Sequence, residues 1–98
     1  MILEHALLAV IPGREPEFEA AFAEARRIID AMPGFLGLEL SRSIETPNEY
    51  LLLVRWRSVE DHTIGFRGSA GYDTWRRLLH GFYDPFPTVG HFAAVSLG

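Results

Sequence analysis

The stretch FLGLELSRSIETPNEYLLLVRWR, Phe35 to Arg57, carries the pattern from which the fold follows. In its first half Leu36, Leu38, Leu40, Arg42 and Ile44 alternate with Phe35, Gly37, Glu39, Ser41 and Ser43. A period of two marks a strand, because successive side chains on a pleated chain point to opposite sides. Glu45-Thr46-Pro47-Asn48 then supplies turn residues. The second half alternates again, with Tyr50, Leu52, Val54 and Trp56 on one side and Leu51, Leu53, Arg55 and Arg57 on the other. Two alternating runs joined by a short turn predict an antiparallel hairpin.

Upstream of the hairpin, Pro33-Gly34 closes a helix running from about Glu15 to Met32. There Phe18, Phe22, Ala25, Ile29 and Met32 recur at steps of four and three, one apolar stripe. Glu15, Glu17 and Glu19 crowd its first turns and Arg26 and Arg27 lie later, as the helix dipole favours. Before it, Ile2 to Ile11 is a short Leu-, Ile- and Val-rich run ended by Pro12-Gly13, which reads as a strand.

Downstream, Ser58 is an N-cap followed by Glu60 and Asp61. The helix they open carries His62 and Phe66 four apart and breaks at Gly65 and Gly68. It resumes at about Ser69, with Tyr72, Trp75 and Leu79 on one stripe, and ends near His80-Gly81. Past the Pro-rich Phe82–Pro87, Val89 to Leu97 is the last strand. The order strand, helix, strand, strand, helix, strand is the ferredoxin-like α+β arrangement, βαββαβ with an antiparallel sheet. The 98 residues, 11.0 kDa, with no linker or repeat, make one domain over residues 1–98.

Two helices cover one side of such a sheet and leave the other wet. Yet the first strand is apolar on both sides, Leu3, Leu7 and Ile11 against Ile2, Leu8 and Val10, and so is the middle of the third. An exposed patch of that size invites association, so a second copy is expected to cover it, giving a homodimer and a dimeric α/β barrel. The alternative is a monomer with scattered surface leucines.

Composition narrows the chemistry. Formal net charge is −4, no basic stripe is present, and neither nucleic acid nor an anionic membrane is an expected partner. Zero cysteines exclude thiol nucleophiles and thiolate metal sites, and the absence of lysine excludes Schiff-base chemistry. The serines lack a G-x-S-x-G context. His5, His62, His80 and His91 show no metal-ligand spacing within one segment, so no metal is expected. His5 and His91 meet only if the first and last strands align. The start of the chain is interrupted by Glu4 and His5 and lacks a basic leader, and no apolar run reaches a membrane span, which makes a cytoplasmic location the expectation.

Aromatic residues remain. Phe18, Phe22 and Trp56 read as core. His62, Phe66 and Tyr72 are more informative, because a kinked helix laid on the sheet aims them into one space. An imidazole, a flat wall and a phenol suit a planar aromatic substrate with ionisable hydroxyls. The alternative is an ordinary helix–sheet core with His62 near its edge, which the residues alone favour.

The chain resembles the antibiotic biosynthesis monooxygenase family. The likeness rests on Pro12-Gly13 with the glutamate-rich helix, on Met32-Pro33-Gly34-Phe35, and on Trp56-Arg57-Ser58-Val59-Glu60-Asp61-His62. Ser69-Ala70-Gly71-Tyr72 and the strand around His91 complete it. Family members that oxidise phenols or anthrones to quinones line their pocket with Asn, Trp and Tyr. Those positions resemble His62, Phe66 and Tyr72 here, so Tyr72 alone is kept. A haem-degrading branch uses Asn, Trp and His at places that fall near Ala6, Phe66 and Trp75–Arg76, and all three are lost. Another branch processes small signalling molecules or quinols.

The resemblance implies a monooxygenase without metal, flavin or other cofactor, acting on a small phenolic or hydroquinone-type substrate with O₂ to give a quinone. It implies His62 as base, Tyr72 as hydrogen-bond donor to the oxyanion, and Phe66, Trp75 and Phe22 as substrate-binding walls. The alternative is a non-catalytic small-molecule-binding or stress-associated dimeric barrel protein.

Overall fold

In the computed structural model, which describes residues 1–98, four strands form one antiparallel sheet with both helices on one side. They are β1 (Ile2–Ala9), β2 (Phe35–Arg42), β3 (Glu49–Trp56) and β4 (Val89–Phe92), in the spatial order β2-β3-β1-β4. Helix α1 spans Glu15–Asp30 and α2 spans Ala70–Leu79. A π-helical segment, Asp61–Phe66, leads from β3 towards α2, and a 3₁₀ turn, His80–Phe82, leaves it. The ferredoxin-like α+β fold read from the sequence is the one observed.

The alternation of β1 and β3 explains where the core lies. Ala6, Leu8 and Val10 of the first strand and Tyr50, Leu52, Val54 and Trp56 of β3 are buried against the helices. From α1, Phe18, Phe22, Ala25 and Ile29 close over them, the stripe expected from the sequence. Helix α1 stops at Asp30, two residues short of the expected Met32, because Ala31 and Met32 turn back to donate to the carbonyls of Ile28 and Ile29.

Two strand readings need correction. In β2 a bulge lies between Phe35 and Gly37. It turns Phe35 to the core side, edge-on to Trp56 with ring centroids 5.8 Å apart, and leaves Leu36 54 % exposed. Strict alternation across Leu36 and Leu38 therefore fails at its first residue. The last strand was expected to reach Leu97 and ends at Phe92. Leu3 pairs with Phe92, and only Ile2 of β1 lies beyond that pair, so most of the expected strand has no β1 residue opposite it.

The face away from the helices is uncovered. Leu7 and Phe92 are exposed at 50 % and 55 %, and Leu51 and Leu53 are only half-buried beside them. The molecule measures 41 × 36 × 19 Å. Its least dimension accommodates one sheet and one helical layer, so nothing within the chain lies over that face. No helix is long and apolar enough to cross a membrane.

Candidate functional site

Between the sheet and the π-helical segment lies a cavity of about 390 Å³. Its floor is Glu4, Ala6 and Leu8 of β1 with Leu52 and Val89, and its walls include His62, Phe66, Tyr72 and Trp75. The turn after α2 closes one end with His80, Tyr83 and Phe86, and the exposed Arg67 stands at the rim.

Local sequence sets these walls. The Ser58 hydroxyl accepts from the Asp61 amide, opening the helical segment. The segment then underwinds into a π-turn, with Arg67 N–H donating to the His62 carbonyl. At about 4.4 residues per π-turn, residues four apart nearly eclipse. His62 and Phe66 accordingly stack, with ring centroids 6.3 Å apart and planes 29° from parallel. Gly68 ends the turn, for a Cβ there would sit 2.5 Å from the Ile64 carbonyl oxygen. Ser69 then caps α2, its hydroxyl accepting from the Tyr72 amide at 3.1 Å. The restart aims Tyr72 edge-on at Phe66, 5.2 Å away, and Trp75 edge-on at Phe66, 5.4 Å away.

Of the residues nominated from sequence, His62, Phe66, Tyr72 and Trp75 thus border one cavity. Phe22 does not. It packs behind Trp75, ring centroids 5.5 Å apart, and borders a separate, shallower groove beside β2. It packs against the Trp75 ring and supports that wall without lining this cavity.

Two residues that sequence reading left aside complete the polar part of the site. Glu4 shares the inward side of β1 with Ala6 and Leu8 and is only 6 % exposed. His91 lies opposite Glu4 in the β1–β4 register. His62, 2 % exposed, sits between them. Its Nδ1 is 2.8 Å from His91 Nε2, and its Nε2 is 3.3 Å from Glu4 Oε1. The Trp56 indole N–H donates to the same Glu4 oxygen at 2.8 Å, and the Trp56 and His62 rings stack at 5.4 Å. A signal for Glu4 existed in the sequence, since it falls in phase with Ala6, Leu8 and Val10. His91 carried none without the strand register.

Burial governs the charges. It pushes the Glu4 carboxyl above the ordinary carboxylate range, opposed by the Trp56 hydrogen bond and the positive Arg67. It pushes His62 down to about 3, assisted by Arg67 and His91. His62 is therefore a neutral imidazole near neutral pH, with Nδ1 hydrogen-bonded to His91 and Nε2 close to Glu4 Oε1. His80 is also lowered, by burial and by Arg76, and Tyr83 is raised, chiefly by burial. The Glu4, His62 and His91 donors point along a line through the imidazole ring and do not converge on a point, and no cluster of metal-ligand spacing exists in the chain.

The family model for antibiotic biosynthesis monooxygenases matches residues 1–78. An uncharacterized Bacillus subtilis (strain 168) protein, YczJ, is 52 % identical over 97 % of this chain and 100 % of its own length. A haem oxygenase (mycobilin-producing) of Mycobacterium tuberculosis is 34 % identical over 54 % of this chain and 50 % of its own length. Among solved structures, a Bordetella bronchiseptica protein provisionally assigned to the same monooxygenases is 41 % identical, covers 97 % of each chain and superposes with a TM-score of 0.91. SnoaB of Streptomyces nogalater, a cofactor-independent oxygenase, shares the fold at 20 % identity, with a TM-score of 0.81 over 97 % of this chain and 94 % of its own.

Proposed function

The chain belongs to the antibiotic biosynthesis monooxygenase family, and from that premise we propose that it oxidises a phenolic or hydroquinone-type aromatic substrate with O₂ to a quinone, using no cofactor. The observation that carries this reading is the cavity itself: a space of about 390 Å³, walled by His62, Phe66, Tyr72 and Trp75, with the buried Glu4 carboxyl in its floor. That volume accommodates a ligand of two or three fused rings. SnoaB supports the reaction class by its fold and by its own description as a cofactor-independent oxygenase.

The chemistry asks three things of the protein. The phenolic proton must be removed, the anion held, and the ring kept in place while O₂ reacts. Proton removal belongs to the hydrogen-bonded group around His62. Tyr72 donates to the oxyanion, and Phe66 and Trp75 fix the ring plane. The anion gives an electron to O₂, the two radicals join at carbon, and the peroxide loses water to leave a carbonyl. One oxygen atom enters the product and the other leaves as water.

The active unit is a homodimer in which the uncovered sheet face of one copy lies against that of another. Leu7, Leu51, Leu53 and Phe92 supply the apolar surface for it.

Oxygen uptake on mixing the protein with hydroxynaphthalenes tests the reading. Stoichiometric O₂ consumption with appearance of a quinone absorbance is expected, lowered strongly in Tyr72→Phe. Tight binding of the same compounds with no O₂ consumed overturns it in favour of a small-molecule-binding barrel. A Soret band on adding haemin, followed by its loss under reductant, overturns it in favour of the haem chemistry of the Mycobacterium relative.

A further inference from the structure

Only one oxygen of the buried Glu4 carboxyl is spoken for. Oε1 receives the Trp56 indole N–H at 2.8 Å and faces His62 Nε2 at 3.3 Å. Oε2 makes no hydrogen bond within the protein, and Glu4 lines the cavity. On His62, Nδ1 is hydrogen-bonded to His91, and Nε2 lies 3.3 Å from Glu4 Oε1. A substrate hydroxyl in the cavity therefore finds a free acceptor on Glu4 Oε2, while the imidazole Nε2 lies against the other carboxyl oxygen.

Resting on the oxygenase reading above, we propose that Glu4 is the catalytic residue that takes and returns the substrate proton, and that Trp56, His62 and His91 are positioning residues that hold its carboxyl. With Glu4 ionised, the hydrogen-bond accounting closes in one way. His91 Nε2–H donates to His62 Nδ1, which places the His62 proton on Nε2, 3.3 Å from the negative Glu4 Oε1. The tautomer of His62 is thus set by a strand at the sheet edge, and Oε2 is left as the free base.

The proton balance is closed at this one carboxyl. The phenolic O–H bond breaks and its proton passes to Glu4 Oε2. The phenolate loses one electron to O₂, and the resulting radicals form the C–O bond of a peroxide. Glu4 returns its proton to the terminal peroxide oxygen. The hydrogen on that carbon then leaves as a proton to Glu4 as the O–O bond breaks, and the departing hydroxide recovers it as water. Glu4 ends as it began, and the four electrons that reduce O₂ have come from the substrate. Burial raises the basicity of Glu4, which fits an acceptor of phenolic protons. The groups that face it and set its titration are Trp56 from β3, His62 and Arg67 from the π-helical segment and its end, His91 from β4, and Tyr83 across the cavity.

Glu4→Gln tests the assignment, because the amide keeps the shape and an acceptor for Trp56. Its kcat for hydroxynaphthalene oxidation is expected to fall about 10²- to 10⁴-fold, with little change in KM. A second readout needs no turnover. At pH 8, binding of 4-nitrophenolate is expected to draw about one proton from solution in the wild type, since two anionic oxygens share a hydrogen bond only with a proton between them. In Glu4→Gln the uptake is expected to vanish. Calorimetry in buffers of different ionisation enthalpy reads it.

Oxygen uptake that persists in Glu4→Gln overturns the role of Glu4 and leaves the oxygenase reading standing. Absent oxygen uptake in the wild type, with proton uptake that disappears in Glu4→Gln, does the reverse. Should Glu4→Gln fail to fold, Glu4→Asp carries the test. It withdraws the charge by one methylene, and an unchanged kcat in it overturns the proposal. For the positioning role, His91→Gln is expected to move the acid limb of kcat/KM to higher pH, because a less firmly held His62 stabilises the carboxylate less. An unmoved limb removes His91 from the arrangement.

Discussion

Glu4 and His62 depart from their ordinary pKa values in opposite senses, and this links the site to stability. A raised carboxyl binds a proton in the folded state that the unfolded chain has released, so Glu4 costs stability as pH rises through its folded value. A lowered imidazole does the opposite. Between 6.5 and about 3 the unfolded chain binds a proton that folded His62 refuses, so stability falls as pH drops through that window. Where Glu4 is protonated in the folded state, above its ordinary value of 4.5, the folded protein holds its proton on the carboxyl and the unfolded chain holds one on the imidazole. The counts match and the two slopes cancel. Glu4→Gln removes one side of that balance. Its melting temperature is expected to exceed the wild type's at pH 8, and its unfolding free energy to decline from about pH 6.5 downward, at about 1.4 kcal/mol per pH unit. Thermal melts of both proteins from pH 4 to 8 check this, and parallel profiles would contradict it. The same residues show what the sequence could express. His62, Phe66 and Tyr72 were legible because helical spacing places them together. The Glu4–His62–His91 chain was not, because it joins three elements whose alignment is a property of strand register and not of local pattern.

At the scale of the element, the segment Asp61–Phe66 and the restart at Ser69 determine the shape of the cavity. The break at Gly65 and Gly68 was legible as a break, since two glycines within four residues weaken a helix. Its form was not. A π-turn requires one more residue per turn than the periodicity of an α-helix suggests, and no residue type announces it. The bulge in β2 was hidden in the same way, because Leu36 and Leu38 preserve an alternation that the backbone does not follow. Gly68 is the residue on which the π-turn depends, its Cα lying too close to the Ile64 carbonyl for any side chain. Gly68→Ala is expected to cost about 1–3 kcal/mol and to weaken binding of hydroxynaphthalenes, because relief of the clash unwinds the turn that stacks Phe66 under His62. Ser69→Ala separates the two effects. It removes the cap of α2, at a cost of about 1 kcal/mol, and leaves the π-turn in place. Denaturant melts and ligand titration of the two variants are expected to show loss of stability in both and loss of affinity chiefly in Gly68→Ala.

For the whole molecule, the question is what covers the second face of the sheet. The faces of β1 divide cleanly: Glu4, Ala6 and Leu8 turn to the helices, and Leu7, half exposed, turns away beside Leu51. Burying a leucine fully contributes about 1.5–3 kcal/mol, so several left in water weigh heavily against the few kcal/mol by which a small domain is stable. A charge at the centre of that face tests its burden. Leu7→Glu leaves the helix side untouched. If two copies meet there, the variant places two carboxylates in an apolar contact with no cation to answer them. Wild-type protein at micromolar concentration is expected to sediment with the mass of two subunits and to melt at a temperature that rises with concentration. Leu7→Glu is expected to sediment as one subunit, to melt lower, and to lose the concentration dependence. Its cavity lies on the opposite side of the sheet, so at temperatures where it remains folded 4-nitrophenolate binding and the accompanying proton uptake are expected to persist. A wild type that sediments as one subunit, with a melting temperature independent of concentration, would show that the leucines stand in water unaided. The sheet that holds Glu4 would then owe its stability to the helices alone.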